Sequence, residues 1–289
     1  PDLRRTWLFG PGADAVAHNA MLDSGSDAII LDLEDFTPPQ RRAEARELLA
    51  GFVQGCRNRG RLAAIRINGL ETEGMTDLAA AMKTGPDAIV YPMADRAAQM
   101  HALDSGITYW ESAFGFEAGS VEIVPVCETA LGVADLRSIA ASSERIRCAI
   151  LGSEDLANDL CAERGQEAIE LEYARRRFLL ECRAAGIEPI DAPYTFSDMD
   201  GAEREARSSR RLGYRCKSLV RSDHAKALKA VFTPGLDEVE RARAVVESFE
   251  AARARGEDRV LVDGLWVEVP TYRNARRLIA RARRLGVTE

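Results

Sequence analysis

The sequence predicts an α/β protein, a (β/α)8 TIM barrel with a C-terminal helical lid segment. Short, nearly continuous apolar runs recur about eight times, which is typical of parallel strands buried on both faces. Amphipathic stretches rich in Ala, Arg and Glu separate the runs, and a glycine commonly ends each stretch before the next run begins. Strand, helix and glycine in this order form the βα unit, and about eight units suffice to close a barrel. A doubly wound parallel sheet is the alternative.

The predicted strands follow one another along the chain with a helical stretch after each. Two of these stretches, 41–56 and 167–185, show a helical pattern, and Gly60 and Gly186 follow them. The apolar runs that we interpret as strands are 6–9, 28–33, 63–67, 88–91, 122–126, 148–151, 188–192 and 216–220.

The pattern changes after residue 221, where helices follow one another without strands between them. Helical patterns cover 223–231, 237–255 and 272–285. We therefore expect residues 1–221 to form a catalytic barrel domain. Residues 222–289 are expected to form a helical lid or oligomerisation segment.

Composition argues against several classes of partner. The chain of 289 residues has a net charge of −7, which disfavours nucleic acid as a main partner. No apolar run approaches the roughly 18 residues that a membrane helix needs. Six cysteines occur without any C-x-x-C spacing, which is typical of a reduced, cytoplasmic protein that has neither a disulfide framework nor a zinc knuckle.

Two carboxylates stand where predicted strands end. Glu128 follows the fifth apolar run and Asp155 follows the sixth. The carboxyl ends of parallel strands meet at the mouth of a barrel, so both side chains are expected to lie there. A carboxylate in such a place must be solvated, paired or bound to a cation, and carboxylate oxygens suit Mg²⁺. We therefore predict that Glu128 and Asp155 together hold a divalent cation.

Three further charged residues belong to the same predicted mouth. Arg66 lies within an apolar strand, where its guanidinium needs anionic partners, and its planar fork suits a carboxylate or an enolate oxygen. Glu34 and Asp35 follow the second predicted strand and are candidates for catalysis. The alternative for these two acids is a structural salt bridge to Arg42 or Arg46 in the next helix.

Five blocks of sequence, in order along the chain, resemble one enzyme family. They are 4–12, 27–35, 66–68, 128–132 and 151–160. These blocks resemble the citrate lyase β-subunit-like family of the HpcH/HpaI aldolase superfamily, which includes malyl-CoA and citramalyl-CoA lyases. The resemblance runs from about residue 4 to about residue 285. It implies a TIM barrel with a C-terminal lid, assembled as a homotrimer or hexamer.

The resemblance also implies roles for individual residues. It implies that Mg²⁺ binds to Glu128 and Asp155 and that Arg66 binds the oxyanion of the reaction. In relatives, the segment that corresponds to 264–270 caps the site of a neighbouring subunit and supplies an acid–base carboxylate. That carboxylate is an aspartate in many lyases and is Glu268 here.

The same resemblance implies coenzyme A and a reaction. Residues of the first strand and its loop, here Arg5, Thr6 and Pro11, are implied to lie near CoA. The implied activity is a Mg²⁺-dependent carbon–carbon lyase that cleaves a malyl-, citramalyl- or citryl-like 3-hydroxyacyl-CoA thioester into an acyl-CoA and a 2-keto acid. The alternatives are an aldolase on a non-CoA 2-keto acid and a catalytically weakened partner protein that binds CoA or metal.

Besides Glu268, two short segments depart from the family pattern. The usual Pro-Lys after strand four is Pro92-Met93 here. The usual Gly-Lys-x-x-Ile-His-Pro after strand eight is replaced by 216–222, CKSLVRS. These changes concern the identity of the substrate and leave the predicted metal pair in place.

Overall fold

The computed structural model describes residues 3–287, which divide into two units between Lys229 and Ala230. Eight parallel strands form a closed barrel in the first unit, in chain order, and the last strand pairs with the first. The strands are β1 (Thr6–Pro11), β2 (Ala28–Asp32), β3 (Leu62–Arg66), β4 (Ala88–Tyr91), β5 (Glu122–Cys127), β6 (Cys148–Leu151), β7 (Glu188–Asp191) and β8 (Cys216–Leu219). The predicted TIM barrel is therefore confirmed, and the alternative of an open doubly wound sheet is wrong.

Alternate side chains of the strands fill the barrel interior. Ile30 of β2 and Val126 of β5 belong to this buried apolar cluster. Because side chains on one face of a strand recur every two residues, Asp32 is the next inward position on β2, and its register partner on β3 is Arg66. The same period leads from Val126 to Glu128 just beyond β5. The apolar filling therefore ends in charged side chains at the carboxyl ends of the strands.

Helices surround the barrel, and at least one follows every strand. Asp14 caps the first helix and Asp198 caps the ninth by accepting backbone N–H groups, while Gly115 and Gly186 end two helices in the left-handed conformation. The helices are α1 (Ala15–Asp23), α2 (Arg42–Asn58), α3 (Gly74–Met82), α4 (Ala97–Phe114), α5 (Ala130–Ala134), α6 (Leu136–Ala141), α7 (Glu154–Asp159), α8 (Glu172–Ala185), α9 (Met199–Leu212) and α10 (Ala225–Val231). None of the helices within residues 3–287 combines the length and the apolar character that a membrane-spanning helix needs.

A buried cluster of charges joins β7 and β8 to the helices outside them. Asp191 and Lys217 are fully buried, and their side chains lie 2.7 Å apart. Arg175 of α8 donates to Asp191 and also contacts Glu205 of α9, which in turn lies 2.7 Å from Lys217. Two acids and two bases thus neutralise one another, as buried charges require.

The first unit extends beyond the predicted boundary at residue 221. Ala225 and Leu228 are fully buried, and the Lys229 ammonium lies 2.7 Å from the Asp27 carboxylate and donates to the Gly25 carbonyl. These contacts hold α10 to residues near the start of the chain. By its contacts most of α10 therefore belongs to the first unit, which ends at Lys229.

The second unit contains the two predicted helices and, between them, a β-hairpin that was not predicted. Helices α11 (Leu236–Ala254) and α12 (Val269–Arg284) pack through small and branched apolar side chains, among them Ala242, Ala275 and Ile279. Between them, β9 (Val260–Val262) pairs antiparallel with β10 (Leu265–Val267). Asp263 and Gly264 both have positive φ, as a tight hairpin turn requires. Strands of three residues are too short to show alternation in the sequence.

Candidate active site

The mouth of the barrel contains a cavity of about 330 Å³. Its walls combine charged residues from the ends of β3, β5 and β6 with apolar side chains from the barrel interior and the loops after β2 and β7. The lining residues include Phe9, Asp35, Phe36, Arg66, Val126, Glu128, Ile150, Gly152, Glu154, Asp155, Pro193 and Thr195. Arg66, Asp35, Glu128 and Asp155, which the sequence predicts to be functional, thus line one cavity.

Glu128 is held from two sides within this cavity. Its side chain is almost completely buried, and its Oε1 accepts a hydrogen bond of 2.8 Å from the Met93 backbone N–H. On the other side lies Gly152, where a Cβ would be only 2.4 Å from the Glu128 Cβ and 2.7 Å from Oε2. Only glycine therefore leaves room for the Glu128 side chain in this position.

Burial and neighbouring acids shift the protonation of the carboxylates. Burial, supported by the Asp155 and Glu34 charges and opposed by the Met93 N–H and Arg66, raises the pKa of Glu128 to about 8. Partial burial and the nearby Asp35 charge raise the pKa of Asp155 above its usual range. In both cases burial is the largest cause, and the neighbouring acids add to it.

Arg66 is the one guanidinium among the residues described as lining the cavity, and it is closely bound. Its Nε donates to Asp32 Oδ1 at 2.7 Å and its Nη2 donates to Asp32 Oδ2, while its Nη1 lies 2.8 Å from Glu34. The aromatic rings of Phe9 and Phe36 flank the guanidinium at 5.2 and 5.7 Å. Burial alone would lower the pKa of Arg66, but the Asp32 carboxylate holds it above its usual value.

Glu34 and Asp35 face Arg66 rather than the helix that follows them. The Asp35 carboxylate lies 3.7 Å from Arg66 Nη2, and burial, opposed by Arg66, raises the pKa of Glu34 to about 7. The alternative salt bridges to α2 are wrong, since Arg42 pairs with Glu73 and Arg46 pairs with Glu73 and Asp77 of the neighbouring helix.

Sequence reasoning missed Asp32, which organises this part of the mouth. Besides both bonds from Arg66, its carboxylate accepts the backbone N–H groups of Glu34 and Phe36 at 2.9 Å each. A signal was present in the sequence, because Asp32 falls on the inward period of β2 at the same strand end as Glu34. Its position in a buried strand does not by itself indicate that the carboxylate accepts four hydrogen bonds.

Two residues that the resemblance places near CoA lie at the other end of the barrel. Arg5 precedes β1 and Thr6 begins it, whereas the mouth lies at the end of that strand, where Pro11 stands. The Arg5 guanidinium donates to the Asp27 carboxylate, and Thr6 Oγ1 accepts the Asp27 N–H. Arg5 and Thr6 therefore lie at the opposite end of β1 from the mouth, whereas Pro11 lies at the mouth end, where its contact with CoA remains a prediction.

The donor chemistry of the mouth fits a hard divalent cation. Glu34, Asp35, Glu128 and Asp155 surround one arginine that is already paired with Asp32. Between residues 3 and 287, no three acidic, histidine or cysteine side chains are close enough together to hold an ion by themselves. Mg²⁺ commonly binds through one or two carboxylates and completes its octahedron with water and substrate, so two protein ligands suffice.

A profile of the family described as HpcH/HpaI aldolase/citrate lyase matches residues 5–222. The chain belongs to this family. It is accordingly a carbon–carbon lyase of the group that contains citrate lyase β subunits and malyl-CoA lyases.

Curated relatives match almost the whole chain. The citrate lyase subunit beta of Escherichia coli (strain K12) is 33% identical over 288 residues, covering 99% of this chain and 95% of that protein. The L-malyl-CoA/beta-methylmalyl-CoA lyase of Cereibacter sphaeroides is 30% identical over 300 residues, covering 96% and 94%. A structure of CitE from Mycobacterium tuberculosis with magnesium, acetoacetate and coenzyme A shares the fold, with a TM-score of 0.74, 24% identity and coverage of 96% of this chain and 97% of that chain.

The contact between Glu128 and Gly152 yields a test of the predicted cation site. In Gly152→Ala, the new Cβ would displace the Glu128 side chain, and we expect the affinity for Mg²⁺ to fall about 10- to 100-fold, as is typical when a ligand loses its support. Titration calorimetry measures this affinity. Gly51→Ala is the matched control, because a Cβ at this position in α2 has no neighbour within 4 Å. Equal Mg²⁺ affinity in Gly152→Ala and wild type would contradict the assignment.

Proposed function

We propose that this lyase is Mg²⁺-dependent and cleaves a 3-hydroxyacyl-CoA thioester of the malyl, citramalyl or citryl type into an acyl-CoA and a 2-keto acid. The observation that carries the proposal is the position of Arg66, Glu128 and Asp155 around one cavity. The names of the curated relatives, which are citrate lyase β subunits and malyl-CoA lyases, support this class of substrate.

The protein side chains divide the chemistry of cleavage among them. Glu128 and Asp155 would hold Mg²⁺, which when bound acts as a Lewis acid toward the keto acid half of the substrate. A base removes the proton of the 3-hydroxyl group, whose oxygen becomes the keto oxygen of the 2-keto acid as the adjacent carbon–carbon bond breaks. The electron pair of that bond forms the enolate of the thioester, and a proton then converts the enolate into the acyl-CoA. Arg66 stabilises that enolate with guanidinium N–H groups not used by Asp32 and Glu34.

Glu34 and Glu268 are the residues that we propose to carry protons. Glu34 lies in the mouth beside Arg66, and its pKa of about 7 suits proton exchange near neutral pH. Glu268 is exposed at the start of α12, and its side chain makes no capping hydrogen bond there. In a homotrimer or hexamer, Glu268 would approach the mouth of a neighbouring subunit.

The first test of the proposal is cleavage of malyl-CoA, citramalyl-CoA and citryl-CoA with Mg²⁺ and with chelator. We expect cleavage of at least one thioester, dependent on Mg²⁺, and its loss in Glu128→Gln because a neutral amide is a poor ligand for a hard cation. Glu44→Gln, at an exposed carboxylate of α2, should behave like wild type. Turnover of free 2-keto acids alone would favour a non-CoA aldolase instead.

Arg66→Lys tests the role of the guanidinium. Lysine keeps the positive charge beside Asp32 but loses the planar fork, so we expect kcat to fall about 10²- to 10³-fold, with a much smaller effect on the free energy of unfolding. Steady-state kinetics and urea unfolding measure the two effects, with Arg59→Lys as a control at an exposed ion pair. Unchanged turnover of the thioester that wild type cleaves would remove Arg66 from the mechanism.

Glu268→Asp tests the proposed proton carrier. Shortening the side chain by one methylene moves its carboxylate by about 1 Å, which can change the rate by about 10²-fold when the group transfers a proton. We expect kcat to fall on the preferred thioester while the Mg²⁺ affinity stays unchanged. If kcat keeps its wild-type value on every thioester tested, Glu268 has no part in proton transfer.

A further inference from the structure

Met93, just after β4, adopts a backbone conformation that side-chain residues rarely take. Its φ is +46°, in the left-handed region that favours glycine. Its side chain is 41% exposed and does not line the cavity at the mouth, so side-chain packing does not account for this conformation. Strained residues of this kind persist where the surrounding structure holds them, and they are frequent beside functional sites.

The conformation of Met93 aims its backbone N–H at Glu128. The N–H donates to Glu128 Oε1 at 2.8 Å, and the next residue, Ala94, donates its N–H to the Val126 carbonyl of β5. The loop after β4 is thereby tied to β5 at two points, one on the strand and one on the carboxylate that follows it.

Gln99, in the first turn of α4, holds the loop from the other side. Its Nε2 donates to the Met93 carbonyl at 3.1 Å, while its Oε1 accepts the backbone N–H groups of Asp95 and Arg96. The side-chain amide therefore uses its donor and its acceptor to fix the peptide units on both sides of Ala94.

We propose that Met93 is a positioning residue that fixes the Glu128 carboxylate through its backbone N–H, and that Gln99 locks Met93 in the conformation this requires. The inference rests on the proposed function, since it concerns the carboxylate that would hold Mg²⁺. In this proposal the backbone N–H of Met93 positions Glu128, and the Met93 side chain takes no part. This explains how methionine can replace the usual lysine at this position without affecting the metal pair.

Two substitutions at residue 93 separate conformation from side-chain identity. Met93→Gly removes the side chain but favours positive φ, so we expect a Mg²⁺ affinity close to wild type. Met93→Ile keeps an apolar side chain, but β-branching opposes positive φ, so we expect the dissociation constant for Mg²⁺ to rise about tenfold or more. The measurement is titration calorimetry of the full chain with Mg²⁺ alone, after chelator has been removed.

A second variant tests the lock without changing residue 93. Gln99→Glu keeps an acceptor for Asp95 and Arg96 but loses the donor to the Met93 carbonyl, so it should also weaken Mg²⁺ binding. Cys161→Ile is the matched control, because Cys161 is exposed, also has positive φ (+53°) and does not line the cavity. It should carry a similar backbone strain and retain the wild-type Mg²⁺ affinity.

The outcomes distinguish this inference from the proposed function. Weaker Mg²⁺ binding in Met93→Ile and Gln99→Glu, with wild-type affinity in Met93→Gly and Cys161→Ile, would support it. Equal affinities in all five proteins would overturn the inference alone. A wild-type chain that binds no Mg²⁺ would overturn the proposed function and this inference together. If Met93→Ile does not fold, as judged by circular dichroism, the comparison of Gln99→Glu with wild type decides.

Discussion

The buried ion pair of Asp32 and Arg66 orders the mouth of the barrel. Asp32 is fully buried, and its carboxylate accepts two bonds from the guanidinium and two from the backbone of the following loop. Its carbonyl also accepts the Thr37 hydroxyl, which in turn accepts the Gly12 N–H after β1. One acidic residue thus fixes the arginine, the loop after β2 and the turn after β1. An isolated carboxylate is costly to bury, so the Asp32 side chain depends on the positive charge beside it and on the backbone donors of the loop after β2.

The remaining acids of the mouth have no comparable partner. Burial and mutual repulsion raise the pKa values of Glu34, Glu128 and Asp155. The environment of each side chain therefore favours the protonated, neutral carboxylic acid. A cation reverses that preference, because carboxylates bind ions in their charged form. The proposed binding of a cation here would therefore be coupled to proton release. Arg66, already paired with Asp32, offsets only part of the negative charge.

The sequence contained most of the fold and the main charged residues of the site. Apolar runs that stop at Glu128 or shortly before Asp155 predict where two strands end. Arg66 is indicated as functional because a buried guanidinium is costly without anionic partners. The role of Asp32 depends on which strands are neighbours, and that of Met93 depends on a backbone angle. Neither property is encoded in residue spacing. The hairpin of the second unit was not predicted from the sequence, because strands of three residues are too short to show a periodic pattern.

The charge cluster behind β7 and β8 limits the routes by which this sequence can evolve. Removing one member, such as Lys217, leaves two buried acids with only Arg175 to offset them, and breaking a buried ion pair costs about 3–5 kcal/mol, whereas replacing a whole cluster with well-packed apolar residues is often neutral. Single steps away from the present combination therefore pass through a destabilised protein. Asp191, Lys217, Arg175 and Glu205 are expected to be inherited as a set, although Asp191 and Lys217 lie outside the cavity at the mouth. Strong covariation among these positions would then record a history of folding and carry no information about the substrate.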